Sequence, residues 1–474
     1  MSDAKRNSRK QEFGAAAGCA AMAEALIPIV EATAMTTDED FFYAKPNGGG
    51  PSSHRGSVRS EKGSNNAGIS HRKSSVKTSS EQTPKMKKRA TPPTLTPNTK
   101  QRSFDGGVIG WPEGLKQEVI GSFSSKPNVA AAKAYLQSLA WPTGLQETLL
   151  KSVSKIGMRF IVVDDSGSMS QNDGRRIVSS SGSALENDAT VKVISCTRWS
   201  ELVQTLHFAA KLANEGKIPT EFRLLNGADP CIVGLGDDGN DGYNFAEDCF
   251  TQEPAGQTPL CEHIRCVIDC VEQVADELRK NGLKAAIIIC TDGEATDGNI
   301  SEVLQRLKKL PAWLVIRLCT NEQRLVDYWN GIDKELEIEV DVLDDLVSDA
   351  REVQAVNDWL VYGEPLHRMR EFGAAAKEFD LVDETALGSE QMKALISHVY
   401  FGDDSRSFTQ HPDVDWKDFL HVVEAKARAN PKTFCTLRNK FVPFIDTKKL
   451  ARCYATSKKA GQGVRGGSAA CGIC

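Results

Sequence analysis

Five short apolar runs, each followed by a polar loop and most by a stretch of helical periodicity, set the strongest limit on what this chain can fold into. They occupy residues 158–165 (MRFIVVDD), 221–226, 284–292 (KAAIIICTD), 312–320 (AWLVIRLCT) and 337–343. Runs this short and this apolar suit strands that are buried on both faces. Between them, the amphipathic stretches 201–214, 259–280 and 300–310 supply the long crossovers that parallel strands require. The pattern predicts an α/β fold, a doubly wound and mostly parallel sheet with helices on both faces. Ligands in such sheets bind where the strands end at their carboxyl side and the loops open.

The polar motifs fall at those ends. Directly after the first run stands Asp164-Asp165-Ser166-Gly167-Ser168-Met169. Asp164, Ser166 and Ser168 alternate along a loop in which Gly167 permits a sharp bend, so three small oxygen-bearing side chains can converge on one point. A hard cation such as Mg²⁺ favours that donor set: oxygen ligands, few carboxylates and retained water. Two further loops have similar chemistry, Gly256-Gln257-Thr258-Pro259-Leu260 at a helix start and Thr291-Asp292-Gly293-Glu294 at the end of the IIIC run. Ser, Thr and Asp also cap strand ends by simple hydrogen bonding, which is the competing reading of each loop.

Taken together, the three loops resemble the metal-ion-dependent adhesion site of von Willebrand factor A and integrin I domains, whose signature is Asp-x-Ser-Gly-Ser. Order, spacing and strand context agree over residues 157–345. Arg198-Trp199-Ser200-Glu201 and Leu224-Leu225-Asn226 also look like intracellular eukaryotic members; Trp199 is expected in the core and Asn226 in a turn, without a role in the site. The resemblance implies a Rossmann-like domain. It implies that Ser166 and Ser168 hold the ion through their hydroxyls, that Thr258 binds directly or through water, and that Asp164 and Asp292 act largely through waters. It further implies an open coordination position that an Asp or Glu of a partner protein completes. Mg²⁺ is the expected ion, with Mn²⁺ and Ca²⁺ not distinguished from it.

Two insertions depart from the family pattern. A serine-rich stretch (QNDGRRIVSSSGSALENDATVKVISCT) follows Met169, and an acidic loop at residues 237–242 (DDGNDG) precedes the threonine loop. Either could crowd the ion. Cys261, His263, Cys266 and Cys270 have no ordinary zinc spacing and are expected to be buried thiols and a core histidine. Asp164 is followed by Asp165 and Ser166, where a phosphatase with an aspartate nucleophile would need Asp-x-Asp. No glycine-rich phosphate loop with lysine is present, so catalysis is not expected.

Flanking this region, residues 36–104 are rich in Ser, Gly, Pro, Asn, Lys and Arg and nearly without aliphatic side chains, so residues 1–104 are expected to form a mostly disordered basic tail. Arg72-Lys73 and, eleven residues later, the KMKKR run at 85–89 have the layout of a bipartite nuclear-import signal. Ser74, Ser75 and three Thr-Pro pairs resemble kinase substrates. Residues 105–156 form a helical lead-in with a repeated motif, Trp111-Pro112-Glu113-Gly114-Leu115 and Trp141-Pro142-Thr143-Gly144-Leu145. Residues 346–450 are expected to be a helical extension without strands, and 451–474 a flexible tail. Its Cys471-Gly472-Ile473-Cys474 end fits the prenylation form, which would attach the chain peripherally to a membrane; Gly472 and the terminal cysteine are atypical for it.

The net charge of −5 argues against general affinity for nucleic acid, and thirteen cysteines, an odd number without a framework, point to a reducing compartment, cytoplasmic or nuclear. The expected function is a metal-dependent protein-interaction module. Its rivals are a metal-dependent hydrolase of phosphates or esters and a degenerate domain whose site serves only the fold.

Overall fold

In a computed structural model of the chain, the apolar runs pair into one central sheet. The structure describes residues 110–179, 191–227, 229–236, 240–336, 340–374, 377–402 and 408–465. The basic tail with Arg72 and residues 85–89, the middle of the serine-rich insertion, Asp237 and Asp238 of the acidic loop, and the Cys471 box lie outside the described residues.

The chain enters through α1 (Glu113–Ser122), α2 (Val129–Ser138) and α3 (Thr143–Val153). Each Trp-Pro of the repeat stands at a helix start, because proline suits the first turn and lacks the amide that the turn would leave unpaired. The two tryptophans then part. Trp111 stacks on Phe160 at 5.5 Å and donates its indole N–H to Glu221 at 2.8 Å, on one face of the sheet. Trp141 stacks on Phe208 at 5.6 Å, on the other.

Eight strands and five helices follow: β1 (Ile156–Val163), β2 (Gly174–Ser179), β3 (Val191–Cys196), α4 (Arg198–Gly216), β4 (Thr220–Leu224), β5 (Cys231–Val233), α5 (Asp241–Phe250), α6 (Leu260–Lys280), β6 (Lys284–Thr291), α7 (Ile300–Leu304), β7 (Ala312–Leu318), α8 (Gln323–Leu336) and β8 (Val340–Leu343). The six-stranded sheet has the order β5-β4-β1-β6-β7-β8, parallel except for the β5 edge. Along β1 and β6 alternate residues go to opposite faces. Ile161, Val163, Ile288 and Cys290 pack with α4, while Phe160, Val162, Ile287 and Ile289 pack with α6 and α7. Leaving β1, the chain runs over one face to β4; leaving β6, it runs over the opposite face to β7. The loops after these two neighbours therefore diverge, which opens a crevice at their carboxyl ends.

The remainder is α9 (Leu346–Val356), α10 (Glu364–Glu371), α11 (Lys377–Asp380), α12 (Ser389–Tyr400), α13 (Trp416–Ala429), β9 (Thr433–Cys435), β10 (Lys440–Val442) and α14 (Thr447–Arg465). Leu366, Met369, Phe372, Leu395 and Val399 from these helices share a core with Trp141, Leu145 and Ile288. Three features differ from the sequence expectation. The serine-rich insertion begins and ends as an antiparallel hairpin, β2 with β3, because its ends (GRRIVS and VKVISC) are β-branched even though its middle is polar. Strands do not stop at Asp344, since β9 and β10 form a second hairpin. The stretch read as a flexible tail continues helix α14 to Arg465, anchored where Tyr454 stacks on Trp416 at 3.9 Å.

Charged side chains join the extension to the sheet. Arg317 of β7, fully buried, pairs with Glu201 of α4 and with Glu371 of α10 at 2.8 Å. Arg368 reaches Glu371 at 2.6 Å, and Arg370 reaches Asp341 at 2.9 Å and Asp383 at 2.8 Å. His367 lies between Asp349 at 3.2 Å and Glu371 at 3.1 Å. Burial alone would lower the His367 pKa, but the two carboxylates outweigh it and raise the value above the ordinary 6.5. No described helix is long and apolar enough to cross a membrane.

Candidate metal centre

The crevice between the ends of β1 and β6 holds four of the five residues singled out by sequence. The Asp164 amide donates to the Cys290 carbonyl at 2.8 Å, so the register of β1 on β6 extends one residue and fixes where the loop departs. Asp164 is buried. Its Oδ1 accepts the Ser166 amide at 3.0 Å, and its Oδ2 accepts the Thr291 hydroxyl at 2.7 Å. A single 3₁₀ turn, Gly167–Ser170, then folds Ser168 back beside Ser166, with their hydroxyl oxygens 2.9 Å apart. Met169 anchors that turn in the core. Ser168 in turn donates to Asp292 Oδ1 at 2.8 Å. Asp164, Ser166, Ser168 and Asp292 thus form one continuous hydrogen-bonded group, with Ser168 and exposed Gly167 on its outer side.

Thr258 is held by its loop. The Gly167 amide donates to the Gly256 carbonyl at 3.2 Å, and the Ala255 amide to the Asp165 carbonyl at 2.7 Å. The Thr258 carbonyl accepts the Thr296 amide at 2.9 Å, which ties it to the loop carrying Asp292. Among the described residues no hydrogen bond joins the Thr258 side chain to the other four. Asn226, expected to be only a turn residue, organises this loop: its side chain and backbone amides donate to Asp165 Oδ1 at 3.1 and 2.7 Å, and its side-chain amide also reaches the Gln257 carbonyl at 2.7 Å. Gly256 is obligatory there, with φ of +102° and Asn226 Oδ1 only 2.3 Å from where a Cβ would stand.

The residue that sequence reasoning missed is Arg198, the first residue of α4. A cation is unfavourable at a helix N-terminus, so its position has to be supported by acidic neighbours. It donates to Asp292 Oδ2 at 2.9 Å and to both oxygens of Asp173 at 2.7 Å, and it approaches Glu322 at 3.2 Å. Burial opposes its charge, but these carboxylates raise its pKa; in return it holds Asp173 below the usual carboxylate range. The available signal was a single arginine opening a helix. Asp292 is therefore shared, one oxygen facing Ser168 and the other the guanidinium.

Among the described residues no cation pairs with Asp164. Burial pushes its pKa up, against hydrogen bonds from Ser166 and Thr291, and Asp292 adds to the rise. A buried carboxylate beside two hydroxyls and a second carboxylate is a donor set of hard oxygens that fits a small divalent cation. Ser166, Ser168 and Thr258 would hold it, with Asp164 and Asp292 behind them.

Elsewhere, Cys261 and Cys270 are buried in α6 with His263, and burial chiefly lowers the His263 pKa to about 4. No disulfide occurs among the described residues. One other set of potential ligands lies close together among them, Asp349, Glu352 and Asp383. Compared with known proteins, the chain matches no protein-family model and no curated protein.

Proposed function

We propose that this chain is a metal-ion-dependent protein-interaction module of the von Willebrand factor A type. In this reading Mg²⁺ on Ser166, Ser168, Thr258, Asp164 and Asp292 captures an acidic residue of a partner protein. The observation that carries it is the convergence of Asp164, Ser166, Ser168 and Asp292 in one hydrogen-bonded group at the crevice between β1 and β6. Few protein carboxylates face the ion, so it keeps the electrophilic character that a partner's Asp or Glu can satisfy. The ion supplies that Lewis acidity; the chain positions it and limits access through the Gly167 turn.

A second reading is favoured by Arg198. Its guanidinium already neutralises Asp292, so the group is largely satisfied without any ion, as in a site kept only for the fold. Affinity capture separates the two. Wild type and the Ser166→Ala, Ser168→Ala protein are compared in Mg²⁺ and in EDTA. Partners lost from both the variant and the EDTA sample support the module; identical partners and identical thermal stability in every sample support the structural site. Hydrolysis of a generic phosphoester that needs Mg²⁺ and disappears in the variant would replace both with an enzyme.

A further inference from the structure

A small cleft, partly open to solvent, lies between the β2–β3 hairpin, α4, the α9–α10 region and Thr436 after β9. Its chemistry is mostly cationic, and the cations differ in how they are matched. Arg317 and Arg368 are already paired, with Glu201, Glu371 and Glu364. Arg175 and Arg176 of β2 form no ion pair among the described residues. Arg175 Nη1 and Arg176 Nε are buried and have no hydrogen-bond partner among the described residues, and the buried Thr436 hydroxyl has none among them either.

Buried polar atoms are nearly always satisfied, and a cluster of exceptions marks a place where something else completes them. Here the unsatisfied groups are two guanidinium donors and a hydroxyl. Two guanidinium groups beside that hydroxyl repel a cation. Guanidinium groups present fixed forks of N–H donors that match tetrahedral oxyanions, and hydrogen bonds to such charged acceptors are among the strong ones.

We propose that this cleft binds a phosphate group through Arg175, Arg176 and Thr436. The site does not depend on the metal reading. Phosphate could arrive free or as a monoester on a larger molecule, so inorganic phosphate and O-phosphoserine serve as separate probes.

The test is calorimetric titration of the full chain in EDTA at constant ionic strength, with acetate as the control anion. Saturable binding of phosphate is expected, with Arg175→Gln and Arg176→Gln each weakening it by about tenfold or more, and no saturable acetate binding. Tighter binding of phosphoserine assigns the site to a monoester, and equal binding to the bare group. Circular dichroism checks that each variant folds. Thr436→Val removes a lining hydroxyl without touching charge and should weaken binding less than either arginine change. Absence of saturable binding by both probes, equal affinity for acetate, or phosphate binding unchanged in both arginine variants overturns the proposal.

Discussion

Arg198→Gln sets the protein's own cation against the ion proposed to share Asp292. The Asp292 side chain is fully buried and its partner guanidinium is 2% exposed. Removing one member of such a pair leaves an uncompensated charge, which costs about 3–5 kcal/mol. The contacts with Asp173 and Glu322, whose side chains are 43% and 51% exposed, add about 0–1 kcal/mol each. In EDTA the variant should therefore be less stable by about 3–7 kcal/mol. The same substitution releases Asp292 for a metal. With charges about 4 Å apart and an effective dielectric of about 20, the lost attraction is about 4 kcal/mol. If half of it is transferred to a bound cation, Mg²⁺ affinity rises by about 2 kcal/mol, roughly thirtyfold. Denaturant unfolding in EDTA and across a Mg²⁺ titration measures both effects. Mg²⁺ binding the variant no more tightly than wild type, or an Arg198→Gln protein as stable as wild type in EDTA, would refute this account of the site.

Three other outcomes follow from the geometry. Arg159→Met should stabilise the protein by about 1–3 kcal/mol, measured by denaturant unfolding. Arg159 is fully buried, Nη1 and Nη2 have no hydrogen-bond partner among the described residues, and burial pushes its pKa down only to about 9, so it is charged at neutral pH; the variant gives up one bond to the Phe372 carbonyl and a contact with the Phe372 ring. His367 has a raised pKa, so its stabilising contribution is complete below about pH 6.5 and is lost as pH rises through the folded value. His367→Gln should remove that part of the stability slope, and an unchanged slope on the alkaline side of 6.5 would contradict the assignment. Gly256→Ala should destabilise by about 1–3 kcal/mol and weaken Mg²⁺-dependent partner capture as well, because the methyl group must displace Asn226 and with it the threonine loop.

What could be read in advance tracks what local chemistry encodes. The runs that became β1, β6 and β7 were legible because strands buried on both faces have to be apolar throughout, as IIIC before Thr291 shows. The meeting of Asp164, Ser166, Ser168 and Asp292 was legible because small oxygen-bearing side chains beside glycine, at the ends of neighbouring strands, are brought within hydrogen-bond reach of one another. The placement of Arg198 was not legible. Its role depends on Asp173, Asp292 and Glu322, which come from three separate loops and meet only once the sheet has closed. The β2–β3 hairpin escaped notice because serine and glycine in the middle of the insertion masked short β-branched ends. Arg317 finds its partners Glu201 and Glu371 only once α4 and α10 have packed on the sheet.

The two Trp-Pro helices also govern the order of events during synthesis. Trp111 and Trp141 leave the ribosome before any of the sheet, yet Trp111 needs Glu221, 110 residues later, and Trp141 needs Phe208. Until then, two large indoles lack these partners on a nascent chain. Both indoles can reach their final packing, one on each side of the sheet, only after α4 and β4 have been made. The interval is a vulnerable one for chaperone capture or misassembly.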